Sequence, residues 1–217
     1  MKVIQNLVPA SKYNIKCPYP MVAEFIAVHN TANDASARNE VAYMIRNNDK
    51  VSFHYAIDDK EIIQGIPENR NAWHAGDGAN GQGNRKGLSI EICYSKSGGK
   101  RFEEAEKLAA KFIAYKLKEK GWGIDKVKKH QDFSGKYCPH RTLDMGWQRF
   151  LNMIQSELNK LKEENNMGDN TPSSWAKEAW EWAKKEGITD GTNPQGNVTR
   201  EQVVTMLHRY HKQVAKK

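Results

Sequence analysis

The chain has 217 residues, 38% of them hydrophobic, and a mean hydropathy of −0.82, with no apolar run near the roughly 20 residues that a membrane helix needs. That composition fits a water-soluble protein of one or two cores and excludes a long multidomain assembly and a helical membrane span. Its 34 basic and 26 acidic residues give a net charge of +8 and an isoelectric point near 9.3, which suits a polyanionic partner. The surplus is uneven: residues 1–160 carry 25 basic and 18 acidic groups (+7), residues 161–217 carry 9 and 8 (+1). Cys17, Cys93 and Cys138 are too few, and odd in number, for a disulfide scaffold.

The first residues meet Gln5, Asn6 and Pro9 before a secretory apolar core of about 7–15 residues can form, so no signal peptide is expected. FIAVHN (25–30) is a short branched apolar run that predicts a buried strand. Val41, Met44 and Ile45 follow on one helical side, VSFHYAI (51–57) alternates as a strand, and LSIEICY (88–94) predicts another. Leu108, Phe112, Ile113 and Leu117 mark a helix that ends at Gly121, and Trp147, Phe150, Leu151, Ile154, Leu158 and Leu161 mark a third helix. Strands alternating with helices predict an α/β domain over residues 1–160, a mixed central sheet flanked by helices.

Residues 161–173 are rich in Asn, Gly, Pro and Ser and predict a linker to a small helical module at 174–217. There Ser174 is expected to cap a helix with Trp175, Ala179 and Trp182 on its apolar side and Gly187 at its end. Thr199 is expected to cap a second, with Val203, Met206, Leu207 and Tyr210 on one side. Roughly 45 residues is near the lower limit for a core of its own, so this module is expected to lean on a partner.

The string KKHQDFSGKYCPHR (128–141) holds His130 and Cys138 across a Gly-containing loop, and imidazole with thiolate is a common zinc donor set. By spacing alone the pair fits a catalytic ion, a structural site closed by His140, or no metal at all. His29 sits at the end of its strand, where side chains project into a cleft. Glu91 interrupts an apolar strand, where a carboxylate is costly unless paired or functional. The alternative is an edge strand that turns Ser89 and Glu91 to water.

Taken in order, VHNTA (28–32), FHY (53–55), AWHAG (72–76), Asn84 before LSIEI, and HQDFSGKYCPH resemble the zinc-dependent N-acetylmuramoyl-L-alanine amidases of the type 2 family over about residues 20–158. The resemblance implies that His29, His130 and Cys138 hold one zinc ion with an open fourth position, and that Glu91 is the general base. It implies that Lys136 faces the developing oxyanion, and that Thr31, His74 and Asn84 line the substrate cleft. The implied reaction is hydrolysis of the amide between N-acetylmuramic acid and L-alanine of peptidoglycan, with no acyl-enzyme. Many relatives have Tyr where this chain has Phe53, and often Gly where it has His140; His54 reads as core or as a support for a ligand.

The module at 174–217 resembles one surface-layer-homology-like repeat, which implies binding to an anionic polymer of a Gram-positive wall through Trp180 and Arg200 and leaves self-association open. Together the two resemblances imply a phage or prophage endolysin, made in the bacterial cytoplasm and acting on the wall after release. A non-catalytic peptidoglycan-recognition protein and a muropeptide-recycling amidase are the alternatives. No basic helix interleaved with aromatics supports a nucleic-acid partner. Lys162, Glu163 and Glu164 before Met167 also fit an internal translation start, yielding the last 51 residues.

Overall fold

The computed structural model describes the backbone of residues 1–166 and 171–214 and the side chains of 1–162 and 171–213. The chain forms two units, Met1–Leu158 and Asn159–Lys217. In the first, strands β1 (Ile4–Gln5), β2 (Phe25–Asn30), β3 (Tyr55–Ile57), β4 (Ile62–Gln64), β5 (Gly87–Ile92) and β6 (Val127–Lys129) join in the order β1-β4-β3-β5-β2-β6. Neighbours run parallel except β3 and β4, so the fold is a mixed α/β sheet. The helices of this unit are α1 (Tyr13–Lys16), α2 (Ala37–Arg46), α3 (Gln82–Lys86), α4 (Gly99–Lys120), α5 (Gln131–Ser134), α6 (His140–Asp144) and α7 (Trp147–Asn166).

β2 is buried at all six residues, as a parallel strand covered on both faces requires, and this explains its unbroken apolar run. α2 begins at Ser36, whose Oγ accepts the Asn39 N–H. It packs against β3 and β4, while α4 packs against β5 and β3. α4 turns Phe102, Ala105, Ala109, Phe112, Ile113 and Leu117 into the core and stops at Gly121, whose φ of +67° favours a residue without Cβ. α7 buries Phe150, Ile154 and Leu158, four residues apart on one stripe.

Several expectations need correction. β1, β4 and β6 span only two or three residues, too short to show a period, and were not foreseen. Of VSFHYAI only Tyr55–Ile57 is strand, because the preceding segment leaves the sheet. β5 lies between β3 and β2, so Ser89 is fully buried and the edge-strand alternative fails. α7 continues to Asn166, into the residues expected to start the linker. Residues 167–170, with the Met167 start, lie outside the described residues.

The second unit holds a 3-10 turn (Ser174–Ala176), α8 (Lys177–Lys185) and α9 (Arg200–Val214). Ser174 opens the turn rather than capping α8, which has no side-chain cap. Thr199 does cap α9: its Oγ1 accepts the Gln202 N–H while the Gln202 amide oxygen accepts the Thr199 N–H. The apolar sides foreseen for these helices are largely open, with Trp175 at 88% and Leu207 at 61% exposure; among the described residues of this unit, Ile188 is the buried hydrophobic side chain.

Candidate active site

β5, β2 and β6 are adjacent and parallel, so their carboxyl ends open onto one side of the sheet, where side chains of such sheets meet ligands. His29 and Glu91 are the penultimate residues of β2 and β5 and stand opposite each other in register. β6 ends at Lys129, and the next residue extends the ladder, the His130 N–H donating to the Val28 carbonyl at 3.2 Å. The loop after it folds back: the Gln131 N–H donates to the Cys138 carbonyl at 3.0 Å, and Phe133 stacks on Phe25 with centroids 5.3 Å apart. Gly135, at φ +75°, makes the turn.

The outcome is that one ligand atom from each of His29, His130 and Cys138 lies within 4.8 Å of the others, with all three residues buried. His29 Nδ1 stands 2.9 Å from His130 Nδ1, and His29 Nε2 stands 2.9 Å from His74 Nδ1. Burial above all, then the charges of His74, His130 and Lys136, holds His29 well below its ordinary value. Burial drives His74 to about 3 and, with Lys136, lowers His130. Neutral imidazoles keep the lone pairs that a metal needs. Burial, and then Glu91, pushes the Cys138 thiol to about 11, a cost that a divalent cation reverses by binding the thiolate. Two neutral imidazoles and a thiol converging on one point are a zinc donor set, and these residues fit that ion.

Beside them, burial pushes Glu91 to about 8, with the Glu40 carboxylate adding to the rise and Lys136 opposing it. Its Oε2 is buried without a hydrogen-bond partner, as are Glu40 Oε1 and Thr31 Oγ1. A cleft of about 700 Å³ is lined by His130, His74, Lys136, Trp73, Tyr19 and Lys50. The exposed Lys136 acts on His29, His130, Glu91 and Cys138 by charge.

The other residues singled out from sequence take varied places. Asn84 borders the cleft, but its Oδ1 accepts the N–H groups of His74 and Ala75, both at 2.8 Å, and its Nδ2 donates to the Gly78 carbonyl. It therefore fixes the loop that carries His74. His74 touches His29 directly, a link that spacing in the sequence could not reveal. His54 spends both ring nitrogens on backbone, accepting from the Ser89 N–H and donating to the Arg70 carbonyl, so it is core. Phe53 is buried, and the Tyr55 hydroxyl donates to Glu68 at 2.6 Å, so it does not supply a hydroxyl to the site. His140 Nε2 lies 3.3 Å from the Ser95 carbonyl. In the second unit Trp180 lines a hollow of about 770 Å³ and keeps a buried, unpartnered Nε1, while Arg200 is exposed at the start of α9.

Comparison with known proteins gives one consistent result. A family model described as N-acetylmuramoyl-L-alanine amidase (Amidase_2) matches residues 19–141, more than half of the chain. The chain is 62% identical over 167 residues to N-acetylmuramoyl-L-alanine amidase CwlA of Bacillus subtilis (strain 168), covering 76% of this chain and 61% of that protein. It is 62% identical over 158 residues to XlyB of the same organism, covering 72% and 50%. Among solved structures, PlyL matches at 53% identity and a TM-score of 0.69, over 71% of this chain and 97% of that one. The PlyG catalytic domain matches at 52% identity and a TM-score of 0.69, over 73% and 96%. The family match, which lies within the first unit, together with relatives of this identity shows that the chain belongs to the N-acetylmuramoyl-L-alanine amidase family.

Proposed function

We propose that the chain is a zinc-dependent hydrolase that cleaves the amide between N-acetylmuramic acid and L-alanine in the wall of a Gram-positive bacterium, in the manner of an endolysin. The observation that carries this reading is the convergence of His29, His130 and Cys138 beside a half-buried carboxylate, Glu91, whose Oε2 is buried and unpartnered. His29, His130 and Cys138 would hold the ion, each Nδ1 turning its lone pair inward. That tautomer leaves the proton of His29 on Nε2, donating to His74 Nδ1, so His74 orients the ligand from behind. A zinc ion supplies Lewis acidity, polarising a carbonyl and bringing the pKa of a water toward about 7.

Glu91 takes a proton from the attacking water with its unpartnered Oε2 and returns it to the leaving amine of L-alanine. Its raised pKa suits that exchange, because a carboxylate that binds a proton more tightly is the better base. Lys136 presents its ammonium to the oxygen on which negative charge develops. Thr31 offers an uncommitted hydroxyl, and His74 and Asn84 shape the cleft floor. The match spans 61% and 50% of the first two relatives' lengths, and their activity is carried to this chain as part of this proposal.

For the second unit we propose wall attachment, with Trp180 and Arg200 facing an anionic wall polymer and self-association through its open apolar sides. The enzyme then acts on the wall from outside the compartment of its synthesis. Digestion of purified Gram-positive walls tests the reaction: new L-alanine amino termini are expected in step with falling turbidity, without new reducing sugars. New reducing ends, or D-amino-acid termini in place of L-alanine, would refute it.

A further inference from the structure

The cleft is lined by two ammonium groups, those of Lys136 and Lys50, and among the described residues no carboxylate lines it. Lys50 is exposed and makes no ion pair or hydrogen bond among the described residues. Two aromatic residues of the same wall are held in place: the Trp73 indole N–H donates to the Ile15 carbonyl at 2.8 Å, and Tyr19 meets Trp73 edge-on at 6.1 Å.

The loop that presents Lys50 is held from beneath at unusual cost. Lys16 is fully buried, and its ammonium donates to Asn47 Oδ1 and the Asp49 carbonyl, both at 2.6 Å, and to the Val51 carbonyl at 3.1 Å. All three of its protons are thus spent on the residues flanking Lys50. The next residue, Ser52, is buried too: its N–H donates to the Trp73 carbonyl, its Oγ accepts the Trp73 N–H and its hydroxyl donates to the Lys16 carbonyl. A buried ammonium is costly, and a surface loop left alone keeps its conformational entropy. Here both costs are met at the stretch that carries one unpaired cation to the cleft wall.

We propose that Lys50 is a specificity-determining residue that pairs with a carboxylate on the peptide side of the substrate; this rests on the amidase reading above. Once its lactyl carboxyl is tied up in the amide, the muramyl side carries no charge, so the anion belongs to the peptide. Wall peptides carry that carboxylate, on the residue after L-alanine, either free or as a carboxamide. A preformed cation in the cleft wall distinguishes the two, because a carboxamide offers it no charge.

The test uses the full chain loaded with zinc and two synthetic muramoyl peptides, identical except for a free carboxylate or a carboxamide on that residue. The wild-type chain is expected to favour the acid by about tenfold in kcat/KM, chiefly through KM, the size of one charged hydrogen bond in a half-open site. Lys50→Met is expected to bring the ratio of the two kcat/KM values close to one, and Lys50→Arg to keep most of the preference. Added salt is expected to narrow the wild-type ratio and leave that of Lys50→Met where it is. Equal cleavage of both peptides by the wild type, or a preference that survives Lys50→Met, overturns the assignment of Lys50 and leaves the amidase reading standing. Cleavage of neither peptide by the wild type overturns both.

Discussion

Glu91 carries opposing demands. Its carboxyl is raised to about 8, first by burial and then by Glu40, while Lys136 pulls it down. A base acts deprotonated, so the acid limb of the pH profile of kcat/KM follows Glu91, displaced downward when a divalent cation is bound. Removing the charge at Glu40 takes away a cause of the rise, so Glu40→Gln is expected to move that limb to lower pH. Lys136→Met removes the opposing charge and is expected to move it to higher pH; limbs that stay fixed in both variants would contradict this electrostatic account. Glu91→Gln is expected to lower kcat by about 10²- to 10⁴-fold, measured as amine release. It also carries a stability consequence of definite sign. A carboxyl whose folded pKa is raised contributes stability below its ordinary pKa of 4.5 and loses it as pH rises through about 8. The metal-free Glu91→Gln chain is therefore expected to melt higher than metal-free wild type at pH 9, and no lower than it at any pH above that window.

At the scale of elements, α4 packs on the sheet whose ends carry the cluster, and α7 is tied to α4 through the Arg149–Glu106 ion pair. Phe112 on α4 and Ile154 on α7 are fully buried, and Ile154→Ala is expected to cost about 2–5 kcal/mol in urea unfolding, near the low end where neighbours can close the cavity. Gly121→Val places a branched side chain at φ +67° and is expected to lower the melting temperature through strain at the end of α4. These helices were legible in the sequence because each repeats its apolar residues at spacings of three and four, and β2 and β5 because a strand in the middle of a sheet reads as an apolar run, broken in β5 at Ser89 and Glu91. β1, β4 and β6 were not, since two or three residues show no period and their pairing is decided by distant partners. The ligand triad and Glu91 were reached through ordered motifs, not through spacing, because His29 and His130 are 101 residues apart and meet only through sheet order. The contact of His74 with His29 and the clamp of Lys16 on the loop 47–51 left no trace in the chain's local pattern, since each depends on where two separate loops come to rest.

On the scale of the molecule, the two units differ in how they are held together and in charge. The first has a buried core and a surplus of +6 over residues 1–158, and the second carries +2, with most of its described apolar side chains open. An anionic wall would thus attract the first unit by charge and the second by contact with its exposed aromatics. Deleting residues 171–217 is expected to leave a cooperatively folded chain that still cleaves soluble muramoyl peptides, while binding to intact walls in a pull-down falls; loss of folding would show that the first core depends on the second unit. The claim beneath all of this is that the strand-end cluster holds a metal ion, and the metal content of the purified chain tests it most directly. One zinc per chain is predicted, falling severalfold or more in Cys138→Ala and in His130→Ala while the far-ultraviolet circular dichroism stays that of the wild type. A chain that cleaves walls with no stoichiometric metal, or variants that keep a full complement of zinc, would contradict it.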